Sequence, residues 1–308
     1  MHIFILKRLL MMLPVLFGVV VIIFTLMYVT PGCPAFMILG GMASEADVAE
    51  LRYLMGLDDP YFMQFGRYVA NLLRGDLGTS FTTRTPVFRE IMLRFPQTMM
   101  LAVVSMMIAI MIGIPTGIVS ATKQYSIFDN IAVVVGLIGV SMPNFWQALL
   151  LILLFSVHLN WFPPSGFYGP EFWVLPALTL GTSAAAVIMR MTRSSMLEVI
   201  RQDYIRTARA KGQRESVIIM RHALKNALIP VITVIGLQFG TLLGGAVLIE
   251  SIFSIAGVGR LMVDAITARD NPIVQGGVLF IAFSFSFINL IVDVIYAFVD
   301  PRMKSQFK

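Results

Sequence analysis

The sequence has few charged residues and almost no cysteine. Only 13% of its 308 residues are Asp, Glu, Lys or Arg, about half the share in a typical soluble domain, and 57% are hydrophobic. The single cysteine, Cys33, cannot form an intrachain disulfide, and the three histidines lie too far apart in sequence to suggest a metal cluster. The composition therefore excludes a water-soluble fold, a disulfide scaffold and a zinc fold.

The sequence also lacks a nucleotide-binding loop. A P-loop ends in Gly-Lys followed by Ser or Thr, and no Gly-Lys dipeptide occurs in this chain. We therefore expect no catalytic residue, no metal and no cofactor in the chain itself. Any ATP hydrolysis has to come from a separate protein.

Long apolar stretches are abundant, and a helix needs about 20 apolar residues to cross a bilayer. The first stretch follows Lys7 and Arg8 as in a signal peptide, but it is about twice as long as a signal-peptide core and lacks a cleavage site. We expect it to remain in the protein. The prediction is an all-α, polytopic membrane protein with six spans, near residues 9–30, 98–121, 131–157, 172–190, 227–249 and 273–299.

The distribution of basic residues predicts the orientation. The net charge of +6 in so apolar a chain is better explained by topology than by a nucleic-acid surface. With residue 1 in the cytoplasm, 15 Lys and Arg residues fall on inner segments and 8 on outer ones. We therefore expect both termini in the cytoplasm and no nucleic-acid partner.

Three regions follow from this topology: an N-terminal transmembrane helix (1–30), an extracytoplasmic helical cap (31–96) and a transmembrane core (97–308). In the cap, Ser44 and Asp47 resemble a capping box, and a second helix opens after Asp59-Pro60 and stops at Gly75. A third piece, Val87 to Arg94, is bracketed by prolines. We expect it to lie flat in the membrane interface before the second span.

The inner loop 190–226 is long, basic and helical in period. Gly212 interrupts the pattern, which gives a helix–glycine–helix arm. Such an arm suits docking to a cytoplasmic partner, but a basic amphipathic helix on anionic lipid has the same periodicity. The apolar positions that recur at helical spacing are Met196, Leu197, Ile200, Tyr204 and Ala208.

At this loop the sequence resembles a known family. Residues 204–212, Tyr-Ile-Arg-Thr-Ala-Arg-Ala-Lys-Gly, and 221–230, Arg-His-Ala-Leu-Lys-Asn-Ala-Leu-Ile-Pro, are similar to the EAA loop of ABC-importer permeases of the dipeptide, oligopeptide and nickel group. Other matching pieces cover nearly the whole chain: Leu57–Pro60 with Gln64, Gly75–Gly78, Ser141–Trp146, Gly257–Arg260 with Asp270, and Asp293 with Asp300–Arg302.

The resemblance implies half of a pore in a bacterial inner membrane. Its partners would be a second homologous permease, two ATPase subunits that bind ATP and Mg, and an extracytoplasmic solute-binding protein. The cargo implied is di- or oligopeptides, with nickel chelates or glutathione as alternatives. The residues implied to contact the ATPases are Ile200, Tyr204, Ile205, Arg206, Thr207, Ala208, Arg209 and Gly212.

This chain departs from the family pattern in three places. Arg206-Thr207-Ala208 stand where the general motif has Glu-Ala-Ala, which is usual in the peptide branch. Cys33 replaces an Asp common in the branch after the first span, and Ala256 replaces a Pro before Gly257. The last two changes lie on the predicted outer side and concern loop geometry.

Two other functions remain open from the residues alone. A stand-alone ion-coupled transporter could use Asp293 in the last span, since intramembrane carboxylates are costly and usually functional. An intramembrane serine hydrolase could use Ser141 with His158, although helix would place them roughly 25 Å apart. Ser141, Pro143, Asn144 and Asp293 are also the candidates for pore or gating residues, with a kink at Pro143.

Overall fold

The computed structural model describes residues 2–40 and 43–299, and in these residues the secondary structure is helical apart from one isolated bridge between Thr79 and Pro86. Asp300–Arg302 and the remaining C-terminal residues lie outside this range. The long helices are α1 (His2–Val29), α5 (Val87–Thr122), α8 (Val174–Ile200), α11 (Leu224–Ile252) and α13 (Asn271–Val299). The shorter ones are α2 (Pro34–Leu39), α3 (Glu45–Leu54), α4 (Tyr61–Leu73), α6 (Ile127–Ser141), α7 (Asn144–Leu151), α9 (Asp203–Ala210), α10 (Glu215–Val217) and α12 (Val258–Thr267).

Three of the connecting segments are also helical. A π-helical segment, Ile152–His158, continues α7, and a second, Ile218–Ala223, joins α10 to α11. A 3-10 turn, Pro170–Trp173, leads into α8.

Within residues 2–40 and 43–299, five helices are long and apolar enough to cross a membrane, and they coincide with five of the predicted spans. The fourth predicted span belongs to a longer helical stretch, Pro170–Ile200, than its apolar run suggested. The region predicted as a single span at 131–157 is instead the pair α6 and α7, bent by 107°. Six crossings therefore require this bent pair to count as one span, and the number six stays a prediction.

The bend between α6 and α7 has a local cause. Met142 is extended, with φ −80° and ψ 125°, because a residue before proline avoids the helical region, and Pro143 then starts the next helix. Asp129 at the start of α6 pairs with Arg193 of α8, whereas Gly166, beyond α7, donates to the Phe253 carbonyl after α11. The bent pair thus connects opposite ends of the bundle.

Helices α5 and α8 form the closest pair in the bundle. A Cβ at Gly117 of α5 would lie only 2.6 Å from the Thr192 Cβ, and one at Gly113 would lie 2.8 Å from the Ala185 carbonyl oxygen. Small residues permit this close approach of membrane helices. Around this pair α11 packs on α8 and α13, and α1 packs on α13, so α1 lies at the periphery.

The cap contains the predicted capping box, because Ser44 Oγ accepts from the Asp47 N–H and Asp47 accepts from the Ser44 N–H. The prediction for Val87 to Arg94 was wrong. These residues form the first turns of the continuous helix α5, which passes through Pro96. Val87 and Ile91 are fully buried against α12 and α13, and this packing holds the segment in the protein rather than flat in the interface.

Candidate functional site

The inner-loop helix predicted to run up to Gly212 is two helices in the structure. α8 ends at Ile200, Gln202 is extended with φ −71° and ψ 150°, and α9 begins at Asp203. The predicted period holds on both sides of this turn. The turn leaves the apolar spacing unchanged, and α9 packs mainly on the returning segment Ile218–Ala223.

Ile205 is the residue that anchors α9. Its side chain is 0% exposed and packs in a cluster with Met196 of α8 and Ile218, Ala223 and Ala227 of the returning chain. A residue buried in this way holds α9 in place and offers no surface of its own. Of the apolar residues implied to contact a partner, Ile205 therefore faces the protein interior.

The other predicted contact residues lie together on α9 and at the end of α8. Tyr204 is 43% exposed, and its hydroxyl accepts a hydrogen bond of 2.8 Å from Asn226 Nδ2. Arg206, Thr207 and Arg209 are exposed, while Ile200 and Ala208 are half-buried at the edge of the cluster around Ile205. α9 thus turns its apolar side inward and a polar side outward.

Gly212 ends α9 in a Schellman turn. Its N–H donates to the Arg209 carbonyl at 2.9 Å, and the Gln213 N–H donates to the Ala208 carbonyl at 3.4 Å. Its φ is +76°, a backbone conformation that residues with a side chain rarely adopt. No heavy atom lies within 4 Å of the position that a Cβ would occupy. The glycine is therefore required by backbone conformation and not by a close approach.

Polar contacts connect α9 to the returning chain. Arg209 binds Glu215 through two hydrogen bonds, Nε to Oε2 at 3.1 Å and Nη2 to Oε1 at 2.5 Å. These bonds and the nearby negative charge raise the pKa of Arg209. Beyond the turn, Gln213 Oε1 and His222 Nε2 are 2.9 Å apart. The loop therefore folds around its own apolar core, and hydrogen bonds between exposed polar side chains connect its two helical parts.

A buried ion pair holds the bundle at the start of this loop, and it was not predicted from the sequence. Arg193 donates to both carboxylate oxygens of Asp129, at 2.7 and 2.9 Å, and the Asp129 side chain is 2% exposed. Asp129 also accepts from Ser120 Oγ and from the Tyr125 N–H. The pair joins α5, α6 and α8 at the end of α8 that leads into α9.

At the opposite end, a buried carboxylate caps α12. Glu250 is 0% exposed and accepts from Thr98 Oγ1 at 2.6 Å and from the Arg260 N–H at 3.1 Å. The Val258 N–H in turn donates to Thr98 Oγ1 at 2.9 Å. The N-terminus of a helix favours negative charge, so the Gly257–Arg260 motif gives this glutamate its partners. The signal available in sequence was a glutamate near the end of an apolar run.

A second buried carboxylate fixes the loop before α5. Asp270 is 3% exposed and accepts from Ser80 Oγ at 2.5 Å and from the N–H groups of Phe81 and Thr82, both at 3.1 Å. Asp270 lies between α12 and α13, so it ties the loop to the transmembrane core. Nothing in local periodicity connects residues 190 positions apart.

The candidate pore residues fall in two regions. Ser141 and Pro143 are exposed and Asn144 is half-buried at the bend between α6 and α7, which pack on α5 and α8. Asp293 belongs to α13, which packs on α1 and α11, and its carboxylate lies 3.0 Å from Arg8. This pairing gives Asp293 a structural partner and makes it a weak candidate for a proton carrier.

The serine–histidine pair gains no support from its surroundings. The bend and the π-helical segment separate Ser141 from His158. The Nδ1 atom of His158 contacts the Leu153 carbonyl at 2.8 Å. Close to the bend, Gln147 Nε2 donates to Thr182 Oγ1 at 2.5 Å, which ties α7 to α8.

A cavity of about 680 Å³ opens between the end of α1, the cap and the start of α13. Tyr28, Cys33, Gln64 and Asn271 are among its lining residues. It lies at the opposite end of α1 from Arg8, and it was not predicted from the sequence. Cys33, whose role the sequence left open, is a half-buried free thiol in this wall.

The membrane-spanning helices and the basic helical arm at one end define a multi-pass permease. Residues 113–305 match the family described as "Binding-protein-dependent transport system inner membrane component", and residues 1–102 match the N-terminal model of such components. The chain belongs to this family. It is the permease subunit of an ABC importer, and neither the stand-alone transporter nor the hydrolase is favoured.

Relatives named as transport permeases match almost the full length of this chain. The "Dipeptide transport system permease protein DppB" of Alkalihalophilus pseudofirmus is 45% identical over 326 residues, covering 97% of this chain and 98% of that protein. The "Glutathione transport system permease protein GsiC" of Pectobacterium atrosepticum is 44% identical over 298 residues, covering 97% of each. Both are similar to this chain well beyond the level needed to share a fold.

Solved structures show the same fold. A chain of the MetNI methionine ABC transporter in an inward-facing conformation matches with a TM-score of 0.56 and 20% identity, covering 69% of this chain and 97% of that one. A chain of an amino acid ABC transporter with histidines matches with a TM-score of 0.51 and 14% identity, over 70% and 94%.

Proposed function

We propose that this chain forms half of the pore of an importer for small peptides. Support comes from relatives over 40% identical whose names specify dipeptides, di- and tripeptides, or glutathione. Peptides are the chemistry common to these names, and nickel chelates remain an alternative. A binding assay with peptides and chelates on the cognate solute-binding protein tests this choice, and exclusive chelate binding would overturn it.

The exposed side of α9 is the proposed docking surface for an ATPase subunit. Tyr204, Arg206 and Thr207 face outward, and Ile205 anchors the helix beneath them. A helix that lies on lipid needs an exposed apolar side. Because the apolar side of α9 is already covered by the protein, this arrangement favours a polar protein partner over a lipid surface.

We place the second permease subunit against an open side of α11. Gly244 and Gly245 have no heavy atom within 4 Å of the position of a Cβ, and Thr241 beside them is exposed. Leu237 and Leu248 continue this side and are 48% and 58% exposed. Small residues at such a position allow a second helix to approach closely.

The orientation stays a proposal in which both termini and α9 are cytoplasmic, in the inner membrane. It is supported by the partition of 15 basic residues inside and 8 outside. A cysteine probe at Glu50 is expected to react with an impermeant reagent in intact cells, and one at Arg214 is not. The reverse labelling pattern contradicts this orientation.

Reconstitution tests the transport function as a whole. The isolated chain should neither bind nor hydrolyse ATP, and peptide uptake into vesicles should require the second permease, the two ATPases and the solute-binding protein. Uptake by this chain alone, driven by an ion gradient, would contradict the proposal. Specific ATP turnover by the isolated chain would contradict it as well.

A further inference from the structure

Helix α4 of the cap packs on α1 through a cluster of aromatic rings. The Phe24 ring centroid lies 5.4 Å from Tyr61, 5.3 Å from Phe65 and 5.4 Å from Tyr68. The Thr25 and Tyr61 hydroxyl oxygens are 2.7 Å apart. These contacts fix the level of α4 along α1.

That level lies within the thickness of a bilayer. The candidate span of α1 runs from Ile5 to Val29, and its uncharged stretch starts after Arg8, which pairs with Asp293. We take this ion pair as one membrane boundary, because charged side chains avoid the hydrocarbon core. A hydrocarbon core of about 30 Å spans about 20 helical residues, so the other boundary falls near Tyr28. Phe24 then lies about 6 Å inside it, at 1.5 Å per residue. The rings of α4 lie on both sides of this level, since Phe65 is also 6.4 Å from Phe17 and Tyr61 is 5.1 Å from Tyr28.

The apolar side of α4 is wider than its contact with α1. Phe62, Val69 and Leu73 follow the α1-facing residues by about 100° around the helix and form a strip along its length. Phe62 is 82% exposed and Leu73 is 85% exposed. The polar residues lie on the other side of the helix: Gln64, Arg67, Asn71 and Arg74.

We propose that α4 is an interfacial helix whose strip of Phe62, Val69 and Leu73 is embedded in the leaflet at the Val29 end of α1, with Arg67 and Arg74 at headgroup level. Interfacial helices bury their apolar side about 5–10 Å into the headgroup and acyl boundary, which agrees with the depth of Phe24. The strip also continues the exposed apolar surface of α1, where Ile22 and Leu26 are 61% and 55% exposed.

This inference adds a membrane contact to the predicted extracytoplasmic helical cap of residues 31–96. It rests on the proposed function only for naming the leaflet, which is the outer one if residue 1 is cytoplasmic. The bilayer is the occupant that the depth of the aromatic cluster favours. A soluble partner protein would have to reach below the membrane boundary to cover the strip.

Spin-label accessibility in the assembled transporter, reconstituted in lipid nanodiscs, tests the proposal. Cys33 is changed to Ser, and single cysteines at Phe62, Leu73 or Asn71 carry the label, with Asn71 as the matched control on the polar side of the same helix. Labels at Phe62 and Leu73 should collide with oxygen in preference to an aqueous nickel chelate. Their oxygen-to-nickel ratio should be several-fold higher than that at Asn71.

Equal ratios at all three positions, or preferred collision with nickel at Phe62 and Leu73, would overturn the proposal. Protection of both strip positions from oxygen and nickel once the solute-binding protein is added would also overturn it and assign the strip to that protein. The assay does not depend on which side of the membrane α4 occupies. Uptake by the same labelled transporters is measured separately, so a failure of the transport proposal is distinguishable.

Discussion

The inner loop and the outer cap contain the same local motif with opposite consequences. α9 and α4 are both short amphipathic helices, and each ends in a Schellman turn with a glycine at positive φ, +76° at Gly212 and +80° at Gly75. The apolar side of α9 is covered by the protein, with Ile205 fully buried. The apolar side of α4 extends beyond its contact with α1 and remains exposed at Phe62 and Leu73.

The difference shows that an amphipathic sequence pattern predicts a helix but does not predict what its apolar side packs against. A helix whose apolar side faces the protein interior, like α9, presents a polar surface suited to a protein partner. A helix whose apolar side is exposed at the depth of the bilayer, like α4, is suited to contact lipid. The two regions are also anchored differently. The inner loop depends on the apolar side chain of Ile205, and the outer end depends on buried carboxylates at Glu250 and Asp270.

The largest effect is expected from removing an outer anchor. Asp270→Ala leaves the Ser80 hydroxyl and the N–H groups of Phe81 and Thr82 without their acceptor in a buried site. Losing three bonds to a charged group is expected to lower the free energy of unfolding by about 4 kcal/mol. Thermal unfolding in detergent measures this, with Asp270→Asn as the milder control. An unchanged unfolding temperature would mean that the loop is held by other contacts.

Removing the inner anchor should cost somewhat less. Ile205→Ala deletes a fully buried side chain, and such changes lower stability by about 3 kcal/mol when the site does not collapse. Because α9 loses its anchor, uptake should fall with it. Ile205→Val is the matched control and should retain most uptake. Full activity of the alanine variant would show that α9 needs no fixed position.

The glycine turns should respond equally to alanine. Gly212→Ala and Gly75→Ala each force a side chain into positive φ without a steric clash, at about 1 kcal/mol. Hydrogen exchange at the ends of α9 and α4 measures the local loosening. Unequal changes at the two turns would show that one of them is shaped by contacts beyond the backbone.

The smallest effect is expected from removing the exposed ion pair of the inner loop. Arg209→Ala removes the pair with Glu215, whose side chains are 41% and 54% exposed. Exposed pairs contribute about 0.5 kcal/mol, so thermal stability should hardly change. A large fall in uptake at nearly constant stability would then indicate that Arg209 contacts the ATPase directly.

Much of the architecture could be predicted because it is local. Apolar runs identified the long helices, Ser44 and Asp47 formed the expected capping box, and Pro143 and Gly212 interrupted helices where their backbone chemistry requires it. Pro96 did not end its helix. Val87 and Ile91, in the turns before it, are buried against the bundle, and proline is tolerated inside membrane helices when neighbouring groups satisfy the freed backbone.

The rest depends on contacts between distant residues. Glu250 bonds to Thr98 over 152 positions, and Arg193 bonds to Asp129 over 64. Periodicity cannot predict such pairs, because the two side chains become neighbours only when the helices have packed. Ile205 was assigned to a partner surface by the family resemblance, and only the fold shows that Met196 and Ile218 cover its side chain.

The docking of α9 to an ATPase can be tested with the paired glycine turns. Gly212→Asp and Gly75→Asp place the same change in the same kind of turn, one at the end of α9 and the other at the end of α4. Tagged permease carrying each variant is purified from membranes, and the associated ATPase subunits are measured beside peptide uptake. If α9 docks to an ATPase, Gly212→Asp should insert normally but lose the ATPases and uptake, while Gly75→Asp should retain the ATPases. Normal ATPase association in the Gly212 variant, with or without uptake, would contradict it.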